Sequence, residues 1–417
     1  YIGGGPMPAI SINLNGSKKF GFSLSQNKSK LIIQYRKKPL KRNDTKSKDI
    51  IGMFVYSHDM EEDAGGEVEM PYTEKKMNNL DYTVDANGTP YLLAKVFTGN
   101  TTRESTKSSD GKGRITNYQL ELLKIDLDAE KILSTPIKTE DKFITKIALY
   151  ESVDNDLVCT GYYNTSGPTK TRTTNSFFGA ATPHTDGICL FKIKKSGGVS
   201  DINYYEIPVE IMNQYERKGT QKRNERKDGK GKAQFEYLTL RESLVQDDGS
   251  LIIIGEQYHV ESSNSSTTIS APVPVPGGLS GTRKSPPIHL YEDVLITKIS
   301  PDGKLTWMRK LPKRQMSNQS EKGGMSIKYI HDKSNGQHYL MYLDNVKNLD
   351  LDINKIPKKH IDGKGGFLTS FKIDDATGKV SKENLCDLRD VKGINVYQFN
   401  IDRIVHTSEN EVVVEVY

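Results

Sequence analysis

The sequence predicts an all-β fold, a β-propeller of about six four-stranded blades with long loops on one face, and three observations predict it. First, of 417 residues 35 are glycine and 21 tyrosine, Ser, Thr, Asn and Lys cluster between apolar runs, and long Ala/Leu/Glu windows are scarce. That is a turn-rich, strand-rich composition. Second, a unit made of a strand, a tight polar turn and a strongly apolar strand recurs six times. Third, a second hairpin follows five of the six. One core rarely grows beyond about 250–300 residues, so a chain this long is two domains or one repeat array, and the repeat decides for a single propeller over 1–417.

In chain order, the first hairpins fall at 20–35, 79–96, 144–163, 237–258, 326–343 and 399–417. Their turns use Asp, Asn, Gly and Ser, which tolerate positive φ or bond their own backbone, as short β-turns require. Their second strands read almost continuously apolar (YLLA, LVCT, LIIIG, VVVEV), as strands covered on both faces do. The second hairpins fall at 50–60, 120–132, 188–200, 294–307 and 367–381, with apolar and polar residues alternating. Two hairpins make one blade, a small sheet that must bury both faces against its neighbours.

Lettering the strands A to D from the axis outward puts the A–B and C–D turns on one face and the B–C and D–A connections on the other. The quoted turns are all of the first kind. The long inserts are B–C (36–49, 97–117, 163–186, 259–292, 344–365) or D–A (213–234), so elaboration gathers on one face. Loops on one face of a rigid scaffold are where binding resides. The sixth hairpin ends at Tyr417 without C or D strands. Ring closure is expected from PAISINL (8–14), from chain beyond 417, or from both; residue 1 is Tyr, so a processed or internal piece of a longer chain is expected.

SPDGKLTWMRKLP (300–312) resembles the repeat of bacterial extracytoplasmic propellers, where a D-G turn precedes an aromatic that packs between blades. GEQY (255–258), DVLITKISPDGKLTWMRKLPKRQ (293–315), YLDNVKNLDL (342–351), GGFLTSFKIDDATGKVSKENL (365–385) and RDVKGINVYQF (389–399) are similar to an uncharacterised Bacteroidota family of secreted or envelope propellers. The resemblance covers residues 140–417. It implies the fold, an extracytoplasmic location (periplasm, outer-membrane surface or secreted) and truncation within the last blade, because the strand matching EVVVEVY continues there into a Lys-rich strand. It implies no particular chemistry.

Motifs that would carry chemistry are absent: no G-x-S-x-G, phosphate loop, H-E-x-x-H or C-x-x-C occurs. The eight histidines lack the short spacing of a structural metal site. The expectation is therefore a non-enzymatic protein with no metal and no cofactor. Three cysteines, Cys159, Cys189 and Cys386, are too few for a disulfide framework. Cys159 and Cys189 fall on apolar B and C positions of one blade and read as small buried hydrophobes, with a disulfide between them as the lesser reading because directly paired strands rarely offer its geometry. The alternative function is carbohydrate binding or cleavage at the axial funnel, where carboxylates near the starts of A strands, Asp81 and Glu236, would converge.

Net charge is +6, too mild to predict nucleic-acid binding, and no helix-length apolar run crosses a membrane. Local clusters carry more. Residues 36–48 hold seven basic groups against one acid, among them Arg36, Lys37 and Lys38; residues 216–232 hold eight against three, among them Arg217, Lys218, Lys222 and Arg223. The opposite face is expected to receive the acidic run 57–70. The inserts 173–187 and 265–281 add Phe177 with Phe178, and Val273 with Val275 in an A-P-V-P-V-P run, whose extended backbone loses little entropy on docking. Together these predict an interaction platform for a protein partner, with an anionic surface or glycan as another ligand class, in an envelope complex.

Overall fold

The computed structural model describes residues 20–37, 46–108, 113–167, 184–261, 266–269, 281–284, 286–318, 323–363, 365–391, 393, 396, 399–408 and 411–416. Five sheets follow one another, four of four strands and one, in blade four, of six, and each contains four antiparallel strands side by side in A-B-C-D order. Blade one is Phe20–Leu24, Lys30–Arg36, Lys48–Ser57 and Glu62–Thr73; blade two is Met77–Val84, Pro90–Phe97, Tyr118–Asp126 and Lys131–Ile137. Blade three is Phe143–Glu151, Leu157–Asn164, Gly187–Ile193 and Asn203–Glu206; blade four is Leu238–Val245, Leu251–Glu261, Ile288–Ile299 and Leu305–Leu311. Blade five is Lys328–Asp332, Gln337–Asp344, Phe367–Asp374 and Val380–Asp387, and the pair Phe399–Ser408 with Glu411–Val416 begins the sixth. The protein is a β-propeller, and every predicted hairpin is present.

The core is a series of layers between blades. One cluster fills each of the five seams from blade one to blade six: Ile32, Met53 and Val55 meet Leu92, Ala94 and Leu123 between blades one and two. Between blades two and three, Tyr91, Leu93 and Leu120 meet Phe143, Leu149 and Phe191. Leu92 therefore points to one neighbour and Leu93 to the other, which is why the B strands read as unbroken apolar runs. Trp307, on the D strand of blade four, packs in the seam with blade five, and its indole N–H donates to the Asp375 carbonyl at 2.9 Å. Cys159 and Cys189 are free, buried thiols on adjacent strands.

The outer face of blade one differs. Phe20 and Phe22 are 49% and 46% exposed, as Val413 is 54% on the sixth hairpin. The segment 8–14, expected to help close the ring, lies outside the described residues.

The long connections gather on the B–C/D–A face. They carry the hairpin Ser105–Lys107 with Arg114–Thr116, the strand pair His184–Thr185 with Phe235–Glu236, and the hairpin Ser266–Ile269 with Gly281–Lys284. Gln315–Ser317 and His360–Ile361 add two further strands to the sheet of blade four. The insert expected as a Lys-rich loop at 213–234 is instead built on two helices, α1 (Val209–Asn213) and α2 (Lys218–Asp228). No described helix is long and apolar enough to cross a membrane.

Candidate functional site

The site grows from the connection between blades three and four. Pro208, with φ of −60°, starts α1, and Met212 sinks into the seam between those blades. The chain then needs an anchor, because α1 is a single short turn. Lys310 from blade four supplies it: its ammonium, wholly shielded from solvent, donates to the Met212 and Gln214 carbonyls at 3.1 and 2.7 Å. A cation at the carbonyl end of a helix satisfies acceptors that have no partner within the helix. The same ammonium lies 3.1 Å from the Asp293 carboxylate.

Tyr215 then turns the chain with φ of +61°, a left-handed conformation that costs a non-glycine residue energy and is kept only where the surroundings impose it. Arg217 precedes the first residue of α2. The Gln221 side-chain amide donates to the Asn213 and Glu216 carbonyls at 3.2 and 3.0 Å, and that of Asn224 to the Asn213 side chain at 2.9 Å. These bonds hold a helix that buries none of its eleven residues. Arg217, Lys218, Lys222 and Arg223 are all exposed.

Beside α2 lies a cleft of about 240 Å³. One wall is Tyr215, Glu216, Arg217 and Thr220; the other is Gln257, Glu292, Asp293 and Arg314 from blade four and the segment after it, closed at one end by Ile356 and Pro357. Burial pushes the Asp293 carboxyl up to about 6, against the pull of the Lys310 ammonium and a bond from the Lys313 amide. Nearby, the Glu256 carboxylate meets Lys313 at 2.7 Å and Arg241 at 2.6 Å, and accepts the Ser326 hydroxyl at 2.7 Å. Burial alone would raise the Glu256 carboxyl; the two cations overcome it and hold it below the ordinary range. Gln315 accepts from both Lys313 and the Ser326 amide, at 2.9 and 2.8 Å, and so joins blade four to blade five.

The other predicted residues fall elsewhere. Arg36 pairs with Asp49 and Glu74 at 2.7 and 2.8 Å, and Lys37 with Glu67 at 2.5 Å, so both charges are engaged within blade one. The acidic run expected to mark the opposite face largely forms the outer strand of that blade, where Asp63, Glu67 and Glu69 meet Lys30, Lys37 and Lys48. Lys38, Phe177, Phe178, Val273 and Val275 lie outside the described residues.

The two funnel candidates each have partners of their own. Asp81 is buried and accepts the Leu149 amide of blade three at 2.7 Å, tying two inner strands together. Glu236 sits opposite His184 in a separate strand pair and 3.8 Å from Lys227 of α2. The groups that sequence reasoning missed are Glu256, Asp293, Lys310 and Lys313. Their one available signal was a charge next to an apolar strand run, as in LIIIGE.

No family model and no curated protein matches the chain. Solved structures do. A protein of unknown function from Bacteroides caccae is similar at 10% identity over 88% of this chain and 83% of that one, with a TM-score of 0.31. One from Dyadobacter fermentans matches at 8% identity, 89% and 84% coverage and a TM-score of 0.36. An α-L-arabinofuranosidase from Lactobacillus brevis matches at 9% identity, 86% and 92% coverage and a TM-score of 0.35. At this distance the likeness concerns the fold alone. The expectation that the protein is not an enzyme is nonetheless corrected: a polysaccharide lyase, an apocarotenoid oxygenase and the arabinofuranosidase share this likeness, so the exclusion does not stand.

Proposed function

We propose that this propeller is an interaction platform that binds a protein partner through α2 and the loop face around it. One observation carries the reading: an eleven-residue helix is anchored at its base by the half-buried bonds of Gln221 and Asn224, yet none of its residues is buried. A helix polar on all sides contributes nothing to the core, so its stability comes from the anchor and its use lies outward. The row Arg217, Lys218, Lys222 and Arg223 suits an acidic protein surface, where complementary charge speeds encounter and fixes orientation. The resemblance of 293–315 and 365–385 to extracytoplasmic propellers supports placing this binding in the bacterial envelope or outside the cell.

The test is affinity capture and cross-linking from native envelope, comparing the chain with a variant carrying Lys218→Glu, Lys222→Glu and Arg223→Glu. A partner captured by the first and lost by the second is expected. Capture that survives the charge reversal overturns the reading, as does recovery of only anionic glycan or lipid.

A further inference from the structure

We propose that the cleft beside α2 is a binding site for an acidic sugar, a hexuronic acid unit of a glycan. The inference is distinct from the platform reading, because Lys218, Lys222 and Arg223 lie outside the lining of the cleft and Arg217 alone belongs to both. At about 240 Å³ the cleft falls just below the ~300–1,000 Å³ of sites for drug-sized ligands. Its occupant is accordingly one or two rings, not a folded element.

Two guanidinium groups line it. Arg217 makes no ion pair among the described residues, and Arg314 has one loose approach to Glu292 at 3.9 Å. A planar fork of N–H donors matches a carboxylate, and neither group is committed elsewhere. Beside them are acceptors: the Glu292 carboxylate, the Gln257 amide oxygen, and Glu216, whose contact with Lys310 is long at 3.5 Å; Asp293, also in the lining, is engaged by the Lys310 ammonium at 3.1 Å. Acceptors of this kind take hydroxyl protons. Tyr215, held at its left-handed φ, and the exposed Ile356 give apolar surface for the C–H face of a ring.

The combination selects the ligand. Inorganic phosphate would use the guanidinium groups but face the carboxylates. A neutral sugar would use the acceptors and leave both cations idle. An acidic peptide would set its own carboxylates against Glu216 and Glu292. A polyhydroxylated carboxylate uses both halves of the lining.

The experiment is isothermal titration of the whole chain with galacturonate and glucuronate mono- to trisaccharides, alongside neutral galactose oligomers and a tri-aspartate peptide. Saturable uronate binding is expected, weakened about tenfold or more by Arg217→Ser and by Arg314→Gln, with unchanged far-ultraviolet circular dichroism. Glu292→Gln is expected to weaken it less, since the amide keeps one acceptor. Lys218→Glu with Lys222→Glu, which alters the platform but not the cleft, is expected to leave uronate affinity within about twofold. The proposal is overturned by absence of uronate binding up to about 10 mM, by affinity indifferent to both arginine substitutions, or by equal binding of the neutral sugars or the peptide.

Discussion

The Lys313 ammonium stands 2.7 Å from the Glu256 carboxylate, and neither side chain is exposed to solvent. The pair lies where blade four hands the chain to blade five, and Arg241, Ser326 and Gln315 complete its bonds. Removing one member of such a pair strands the other in a poorly solvated place, which costs far more than the pair contributes. Lys313→Met is therefore expected to destabilise the protein by about 3–5 kcal/mol. Adding Glu256→Gln is expected to recover part of that loss. Urea unfolding followed by tryptophan fluorescence measures both, since Trp307 lies in the adjoining seam; a loss within error for Lys313→Met would refute the argument.

Asp293 makes the opposite kind of contribution. Its carboxyl, raised to about 6 in the folded protein, binds its proton more tightly there than in the unfolded chain, where an aspartate titrates near about 3.9. The folded state then holds more protons between roughly pH 4 and 6, so stability from this group falls as pH rises through that window and its cost is complete above it. Asp293→Asn removes the titration. The wild-type stability minus that of the variant is expected to decline across pH 4–6 by on the order of 2–3 kcal/mol and to be level above pH 7. A difference that is flat with pH would show that Asp293 keeps its proton equilibrium on folding.

A third expectation concerns backbone geometry. The inner strand of blade three carries a bulge between Ile144 and Lys146, and Gly161 on the next strand lies against it. A methyl group there would fall on the Lys146 carbonyl and the Ile147 backbone. Backbone cannot rotate aside as a side chain does, so Gly161→Ala must flatten the bulge or part the strands. The expected cost is about 2–3 kcal/mol, read as a lowered thermal midpoint. Gly66→Ala, at a position with open space around it, is the control and is expected to be nearly neutral.

The blades were legible because each strand pair carries its own turn chemistry and because both faces are covered, leaving an unmistakable apolar run such as Tyr91 to Ala94. What was illegible depended on distant partners. KGTQKRNERKD has no apolar period, and α2 is fixed by Gln221, Asn224 and, through α1, by Lys310, which lies 98 positions beyond Met212. Asp81 was correctly placed on an inner strand, yet its role follows from the Leu149 amide 68 positions away. Charge clusters in sequence likewise do not reveal which charges are spent: Arg36 and Lys37 are paired within their own blade, whereas Lys218 and Lys222 stand exposed.

The seam between blades four and five offers the last prediction. Burial lowers the pKa of His338, which keeps the ring neutral; its Nδ1 accepts the Tyr329 hydroxyl at 2.9 Å, so Nε2 carries the proton and donates to Asp375 at 2.8 Å. Lys298 and the Gln246 amide donate to the same carboxylate at 2.6 and 3.2 Å. Burial works to raise the Asp375 carboxyl, but these donors outweigh it and hold it below the usual value. A depressed folded pKa gives stability that is present above the unfolded pKa and lost as pH falls through the folded one. Asp375→Ala is thus expected to lower stability at neutral pH by about 1–3 kcal/mol, since the donors of His338 and Lys298 lose their acceptor. The deficit is expected to shrink on acidification below about pH 4, where the unfolded chain takes up this proton before the folded carboxyl does. Equal deficits at pH 7 and pH 3 would place the loss in packing and not in these bonds.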